Sequence, residues 1–247
     1  MKRLVLLLAS MVMSAALYGA EKTIIVGVEE LNYYPYYDFS EGNKRGFFKE
    51  LLDRFAAENG YTVVYKPLPV KRLYNELLVS GQIDFKFPDN PLWGSTYKEG
   101  KAVIYSEEVA AYIDGTMVAE AHEGEGVEKI RKIGTIAGFS PWVYMDSIKN
   151  KQVESIENRT LPGLLKTTLA GRVDGAYVNI AVAEYILLEK LKKPGALVWD
   201  KKLPYDKNNY RLATLRHPET IREFNRFLKE KSLWINALKK TYKISEE

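Results

Sequence analysis

The sequence contains no cysteine and only two histidines among its 247 residues. Without cysteine the chain forms no disulfide bonds, offers no thiol nucleophile and has no cysteine to carry a lipid anchor. The histidines, His122 and His217, lie far apart, and neither has a companion at the spacing of a zinc site. The composition therefore argues against a disulfide-stapled fold, a cysteine-dependent enzyme and a two-histidine metal site.

Long apolar runs are also lacking. The most apolar stretch, residues 4–18, is shorter than the roughly 20 residues that span a bilayer. A basic pair precedes it and small residues follow it, which is the pattern of a secretory signal peptide. We expect residues 1–20 to be removed on export, with cleavage after Ala20 or after Ala16. A retained membrane anchor is the alternative interpretation.

Strong charge of either sign is missing as well, since the formal net charge is +4 and no basic run occurs. This balance gives no reason to expect a nucleic-acid partner. The pair Gly124 and Gly126 lacks the third glycine of a dinucleotide-binding loop, and no G-x-S-x-G motif is present. We therefore expect no cofactor, no metal and no catalytic residues. An exported chain without a lipid anchor is expected to be free in solution, confined by an outer membrane in a periplasm.

Short apolar strands alternate with helical periodicity along the rest of the chain, which is typical of an α/β fold with a mainly parallel sheet. Strands are predicted at residues 23–28, 61–65, 83–87, 133–137, 173–178 and 210–215. Helices are predicted at residues 47–59, 71–80, 162–170 and 180–191, from about 142, and as a terminal pair after His217. Pro88 is expected to end the third strand.

One local pattern, a helix ended by glycine and followed by a strand that begins with aspartate, occurs at residues 78–84 and 169–174. Such turns are common in α/β proteins, so the repeat is a weak signal. It suggests two lobes built on one plan. The β-prone stretch 105–118 and the segment 203–207 are suited to crossing between them. We predict a first lobe from residues 21–110 plus 206–247 and a second lobe from residues 111–205.

Several motifs together, in the same order, resemble the family 3 extracellular solute-binding proteins, which serve ABC importers of polar amino acids. They are Val-Gly-Val at 26–28, Tyr-Tyr-Pro-Tyr at 33–36, Gly-Phe-Phe-Lys-Glu-Leu-Leu at 46–52, Leu-Val-Ser-Gly-Gln-Ile-Asp at 78–84, Gly-Thr-Ile-Ala-Gly at 134–138, Leu-Ala-Gly-Arg-Val-Asp at 169–174 and Tyr-Arg-Leu-Ala-Thr-Leu at 210–215. The resemblance covers nearly the whole chain after the signal. It implies a two-lobe clamshell of the type II class, with a two-strand hinge and the solute in the cleft.

The resemblance also implies ligand-binding residues in the first lobe. They are Glu30 and Tyr33 after the first strand, Arg72 at a helix start, and Asp89, Asn90 and Trp93 after the third strand. Each has a structural alternative: the tyrosine packs a loop, the arginine is a surface charge, and the Asp-Asn pair forms a turn. Asp89 is expected to pair with a ligand ammonium, or with Arg72 when the site is empty.

In the second lobe the implied ligand-binding residues are Ser140, Trp142 and Asn179. The loop around Ser140 precedes a helix start and is expected to be an anion site, with Ser140 also a candidate N-cap. Two features of the family are missing. Lysine, including Lys98, stands where the family has its carboxylate-binding arginine, and Asn179 stands where it has an ammonium-binding aspartate. An α-amino acid held in the usual way is therefore doubtful.

These features favour a solute-binding protein that captures a small polar organic solute, amino-acid-like or amine-containing, for an inner-membrane ABC permease. The protein is expected to be a monomer. One alternative is a ligand-sensing role for a membrane signalling partner. Another is a dehydratase-type enzyme on the same scaffold, with acid–base work by Glu30 or Asp89.

Overall fold

The computed structural model of the chain describes residues 22–244. The predicted signal peptide, residues 1–20, lies outside the described residues, and so does its cleavage site. Across residues 22–244 no helix has both the length and the apolar character needed to cross a membrane.

Strands and helices alternate over most of the chain. The strands are β1 (Lys22–Glu29), β2 (Asn32–Tyr33), β3 (Tyr37–Asp38), β4 (Tyr61–Leu68), β5 (Phe85–Asp89), β6 (Ile104–Tyr105), β7 (Ala110–Ala119), β8 (Lys132–Ile136), β9 (Glu154–Asn158), β10 (Gly175–Asn179), β11 (Leu197–Trp199) and β12 (Asp206–Thr214). The helices are α1 (Phe47–Asn59), α2 (Val70–Asn75), α3 (Ser95–Lys98), α4 (Met145–Lys149), α5 (Leu161–Leu169), α6 (Ile180–Tyr185), α7 (Pro218–Glu230) and α8 (Ser232–Thr241). Wider π-type turns extend α2 over Glu76–Ser80 and α6 over Ile186–Lys190.

The long strands form one continuous curled sheet in the order β4-β1-β5-β12-β7-β10-β8-β9. At one end β1 runs parallel to β4 and β5, and at the other β8 runs parallel to β9 and β10. We call the part built on β1, β4 and β5 the first lobe and the part built on β8, β9 and β10 the second lobe. The arrangement confirms the predicted α/β clamshell.

Two antiparallel strands cross between the lobes. β12 pairs with β7 from Asp206 opposite Asp114 to Tyr210 opposite Ala110, and then pairs with β5 of the first lobe. The register shifts by an irregularity after Arg211, where β12 changes partner. This crossing pair is the hinge that the sequence predicted. The boundaries at 110/111 and 205/206 remain a prediction.

Helix α1 illustrates how the sequence sets the packing of the first lobe. Its buried residues, Phe47, Phe48, Leu51, Leu52, Phe55 and Ala56, recur at helical spacing and form one apolar face. Gly60 ends the helix with φ of 69°, a left-handed conformation that glycine adopts at low cost. The chain then turns directly into β4, which pairs along the whole length of β1. The carboxyl end of β1 is thereby fixed.

Some sequence predictions of local structure were wrong. Pro88 does not end the third strand, because β5 runs on to Asp89. Pairing between β1 and β5 stops at Lys86. The missing N–H of Pro88 therefore costs no hydrogen bond between these two strands. Strands β9 and β11 were not predicted, since β9 is largely polar and β11 is only three residues long.

Candidate functional site

A small enclosed cavity lies between the two lobes. Its walls come from both sides: Glu29, Tyr33, Val70, Tyr74, Trp93, Gly94, Asp114, Gly138, Phe139, Ser140, Tyr177, Val178 and Asn179. Its volume is about 30 Å³, room for roughly one or two water molecules, so an organic solute fits only when the lobes stand further apart than they do here. The lobes touch around it: the Tyr33 and Phe139 ring centroids are 6.0 Å apart, and Lys71 forms a 3.7 Å ion pair with Glu157. The structure is therefore a closed form of the clamshell.

The cavity sits where the strands of both lobes end. Glu29 is the last residue of β1, Asn179 is the last residue of β10, and Gly138–Ser140 follow β8. In open α/β sheets the crevice beyond the carboxyl ends of the strands is the usual place for a ligand. Here two such crevices face each other across the hinge.

Aromatic side chains make up much of the wall. Tyr33 is buried and stacks on Tyr37 with ring centroids 5.1 Å apart. Tyr74 stacks on Tyr97 at 5.1 Å, and Trp93 packs against Tyr112 at 5.3 Å. These rings present apolar faces, and the ammonium group of Lys86 already lies over Tyr74 at 5.1 Å and over Trp93 at 5.7 Å.

Beneath the first-lobe wall lies a cluster of four buried charged side chains. Lys86, fully buried, lies 3.7 Å from Glu29 and 3.4 Å from Asp89, and it donates to the Pro88 carbonyl at 2.6 Å. Lys98 lies 2.9 Å from the other Asp89 oxygen and donates to the Asn90 carbonyl at 2.7 Å. The hydroxyl of Tyr37 donates to Glu29. We call Glu29, Lys86, Asp89 and Lys98 the charged floor.

Burial shifts the pKa values of two members of the charged floor. Loss of water raises the pKa of Glu29, and the nearby Lys86 opposes this rise. Loss of water also lowers the pKa of Lys98 to about 8, with Asp89 acting in the opposite direction. Both lysines already hold carboxylates, so neither is free to bind another anion.

Asp114 and Tyr177 differ from the charged floor because each has a buried polar atom with neither a hydrogen bond nor an ion pair. The Oδ1 oxygen of Asp114 and the hydroxyl of Tyr177 are shielded from water, and neither forms a hydrogen bond. Leaving such a group unpaired costs about 1–3 kcal/mol. Burial, followed by the neighbouring Asp206, raises the pKa of Asp114 to about 8, and the nearby Asn179 amide partly offsets the rise. The closed cavity is thus short of a donor at this wall.

The loop after β8, expected to bind an anion, has three of its backbone donors in use. The N–H of Gly138 donates to Glu157, that of Phe139 to Ile136, and that of Trp142 to Ser140. Ser140 is also not a helix N-cap, because a single 3₁₀ turn starts at Trp142 and Pro141 precedes it without a side-chain cap. Three of the donors expected to bind an anion are thus engaged within the protein, and the anion site remains a prediction.

Four of the nine predicted ligand-binding residues come together at the cavity: Tyr33, Trp93, Ser140 and Asn179. Asn179 also caps α6, since its Oδ1 accepts from Val182 N at 3.1 Å while its amide donates to the Tyr210 hydroxyl at 3.2 Å. The amide group is therefore fixed in orientation at the cavity wall.

The other five predicted residues lie elsewhere. Glu30 is exposed, and its neighbour Glu29 faces the cavity because side chains alternate along a strand. Arg72 is exposed and pairs with Glu76 at 2.9 Å instead of with Asp89. Asp89 is fully buried in the charged floor and does not line the cavity.

Asn90 and Trp142 also lie off the cavity wall. Asn90 is fully buried, and its amide donates to the Asn209 carbonyl at 2.9 Å on the hinge strand β12. Trp142 is partly buried, and its indole N–H has no hydrogen-bond partner. Both residues shape the surroundings of the site.

Asp114 is the most informative residue that sequence reasoning missed. It lies in the β-prone stretch 105–118, which was interpreted as a connection alone. Aspartate is depleted in strands, so an aspartate between Ile113 and Gly115 was a usable signal. The strand pairing places Asp114 directly opposite Asn179. A carboxylate therefore stands one strand away from the position where the family resemblance led us to expect one.

The sequence matches no protein-family model and no curated protein. Solved structures do match. An ancestral arginine-binding protein bound to arginine superposes with a TM-score of 0.73 at 18% identity, over 91% of this chain and 99% of that one. The arginine-, lysine-, histidine-binding protein ArtJ from the thermophilic bacterium Geobacillus stearothermophilus gives 0.72 at 16%, over 92% and 97%.

A histidine kinase sensor domain with similarity to periplasmic binding proteins gives a TM-score of 0.72 at 18% identity, over 90% of this chain and 96% of that one. At these identities the likeness establishes the fold, which is that of the periplasmic amino-acid-binding proteins. The same fold serves a substrate-binding protein and a sensor domain in these neighbours.

Proposed function

We propose that this protein is a periplasmic solute-binding protein that captures a small polar, amine-bearing solute between its lobes and delivers it to an inner-membrane ABC importer. The observation that carries the proposal is the enclosed cavity, lined from both lobes at the ends of β1 and β10. A wall that is complete only when the lobes meet couples binding to closure, because the ligand gains its contacts only in the closed form.

The solved structures support this proposal through their own ligands. The ancestral arginine-binding protein was solved with arginine bound, and the ArtJ protein is named for arginine, lysine and histidine, which are all cationic amino acids. The cavity residues of this chain agree with a positively charged group, since Glu29 and Asp114 are its acidic members and aromatic rings surround them. The proposed protein binds and releases its solute without catalysis.

Ligand binding is tested by thermal unfolding of the purified protein with a panel of amines, amino acids, sugars and organic acids. A ligand that binds only the folded form at 100 times its Kd stabilises that form by about 2.7 kcal/mol. For a chain of this length, that gain corresponds to a rise in melting temperature of roughly 5–10 °C. A panel in which no solute shifts the melting temperature would contradict the proposal.

A matched pair of variants ties the shift to the cavity. Ser140→Phe places a large ring in the cavity, because Ser140 is part of its wall. Ser95→Phe makes the same change at an exposed position of α3. We expect the ligand-induced shift to disappear in Ser140→Phe and to persist in Ser95→Phe. Retention of the full shift in Ser140→Phe would place the ligand elsewhere.

The second candidate function is a signalling role, which is supported by the sensor domain among the similar structures. The two roles differ in what cells lose when the gene is deleted. Uptake of the labelled ligand falls if the protein serves an importer, whereas uptake is unchanged and a transcriptional response to the ligand is lost if it serves a sensor.

A further inference from the structure

The cavity wall carries an acidic group without a countercharge. Asp114 on β7 lies opposite Asn179 on β10 and opposite Asp206 on β12, and its Oδ1 oxygen has neither a hydrogen-bond partner nor contact with water. Asp206 accepts a hydrogen bond from Tyr112 at 3.1 Å and adds a second negative group beside it. A carboxylate oxygen shielded in this way is unfavourable until a cation joins it.

The same wall carries a second unpartnered polar atom, the hydroxyl of Tyr177. A ligand that donates N–H groups can satisfy both Tyr177 and Asp114, whereas a quaternary ammonium has no N–H to donate. The orphaned oxygens therefore favour a protonated amine or a guanidinium group.

A ligand carboxylate, in contrast, finds no cationic group in the cavity wall. Among the lining residues within 22–244 there is no lysine or arginine. The two lysines of the charged floor, Lys86 and Lys98, are held by Glu29, Asp89 and main-chain carbonyls. The N–H groups of Gly138, Phe139 and Trp142 after β8 are also in use. A carboxylate enclosed here would have no countercharge and would lie near Asp114 and Glu29, which repel it.

We propose that the site takes a compact organic cation with N–H donors and no carboxylate, that is, an amine or a guanidine and not an amino acid, and that Asp114 holds its charge. The proposal rests on the proposed solute-binding function and narrows its ligand class. It moves the recognition acid from the end of β10, where Asn179 stands, to the neighbouring crossing strand β7.

Amines and the amino acids that differ from them by one carboxylate provide the direct test. Titration calorimetry of the wild-type protein compares cadaverine with lysine, agmatine with arginine, and tyramine with tyrosine. We expect at least one amine to bind at least tenfold more tightly than its amino-acid counterpart. If an amino acid binds at least as tightly as its amine, this inference is wrong and the solute-binding function remains. The same holds if only anions or sugars bind. No binding by any solute would overturn both.

A variant pair separates Asp114 from the acidic surroundings. Asp114→Asn keeps the shape of the side chain and removes its charge, whereas Asp206→Asn removes the neighbouring charge that does not line the cavity. We expect Asp114→Asn to weaken binding of the preferred amine by about a hundredfold, the usual scale for removing one partner of a buried charge pair, and Asp206→Asn by less than about tenfold.

Circular dichroism and the melting temperature of each ligand-free variant establish that it is folded. Binding of the amine by folded Asp114→Asn within threefold of wild type would contradict the assignment of Asp114. The wild-type comparison of amines with amino acids does not depend on any variant and decides the ligand class by itself.

Discussion

Lys86 is the residue on which the charged floor depends. It is fully buried and faces two carboxylates, Glu29 at 3.7 Å and Asp89 at 3.4 Å. Asp89 keeps Lys98 as a partner if Lys86 is lost, but Glu29 keeps only the hydroxyl of Tyr37. A buried charge left without a partner costs more than the pair contributed.

We expect Lys86→Met to lower the free energy of unfolding by about 3 kcal/mol. Lys132→Met is the matched control, because Lys132 is also a strand lysine in an ion pair but is about half-exposed. Its loss is expected to change stability by less than about 1 kcal/mol. Urea unfolding of both variants gives the comparison. Equal losses would mean that the buried charges are not coupled as the distances indicate.

The stability of Lys86→Met should also depend more steeply on pH than that of wild type. Burial already raises the pKa of Glu29 above its ordinary 4.5, and loss of Lys86, the main opposing influence, raises it further. The folded state then binds the proton more tightly than the unfolded state, so stability falls as pH rises from about 4.5 towards the raised pKa. Unfolding measured from pH 4.5 to pH 8 checks this, and a variant whose loss is constant across that range would contradict it.

Predicted ligand-binding residues in recognisable loops lie at the cavity, whereas the position of a residue in a strand depends on the face that its side chain occupies. The cavity wall contains Tyr33, Trp93 and Ser140. Glu29 lines the cavity instead of Glu30, because successive side chains of a strand point to opposite faces. Lys86 and Lys98 could not be assigned to Asp89 from sequence alone, because their pairing depends on how β5 and α3 pack.

The loop between β8 and α4 is the element that meets the first lobe on closure. Gly138 has φ of 88°, and a Cβ atom at this position would stand 3.1 Å from Val70 Cβ across the cleft. The strain of a left-handed alanine is the same in the open and the closed form, but the contact with Val70 exists only in the closed form.

We expect Gly138→Ala to weaken ligand binding by about tenfold, because the crowded closed form becomes less favourable relative to the open one. Gly171→Ala is the matched control, since Gly171 has φ of 64° and nothing within 4 Å of its added Cβ. That control is expected to lower the melting temperature and leave the Kd unchanged. Equal Kd values for both variants, measured by calorimetry, would count against closure at Gly138.

Elements with strong periodicity were predictable and elements defined by their partners were not. The α1 helix was predicted with the bounds that the structure has, because its apolar face and Gly60 are local signals. The end of β5 was misplaced at Pro88, and β9 and β11 were missed, because strand partners and not local preference define these edges.

At the scale of the whole molecule, the order of motifs was more informative than any single motif. The resemblance carried by the order of the motifs predicted the clamshell with its two-strand hinge, and the β-prone stretch 105–118 predicted where the chain crosses. The ligand-holding acid could not be predicted in the same way, because the opposition of Asp114 and Asn179 is a property of strand register. Fold follows from a pattern spread over the chain, whereas the site follows from a few side chains that folding brings together.

Closure of the whole molecule encloses Asp114, and the pKa of that residue connects closure to pH. In the closed form, the pKa of Asp114 is raised to about 8 by burial and by the negative charges of Asp206 on β12 and Glu29 on β1. The amide of Asn179 on β10 lowers it in part. When the lobes separate, water reaches the carboxyl group, so its pKa returns towards the ordinary 3.8. The closed form therefore binds a proton that the open form releases between these two values.

Lowering the pH from about 9 to about 5.5 should accordingly close the ligand-free protein, by up to tenfold in the closed-to-open ratio for each pH unit below about 8. Small-angle scattering measures this as a decrease in the radius of gyration. Lys98, with its pKa lowered to about 8 by burial, titrates in the same range, so Asp114→Asn is the required comparison. That variant has no proton to gain at this position and should be compact at both pH values. If the radius of gyration changes equally in wild type and variant, or in neither, Asp114 does not control closure. If wild type alone closes on acidification, the Asp114 carboxylate is the group that keeps the ligand-free protein open until a cation binds.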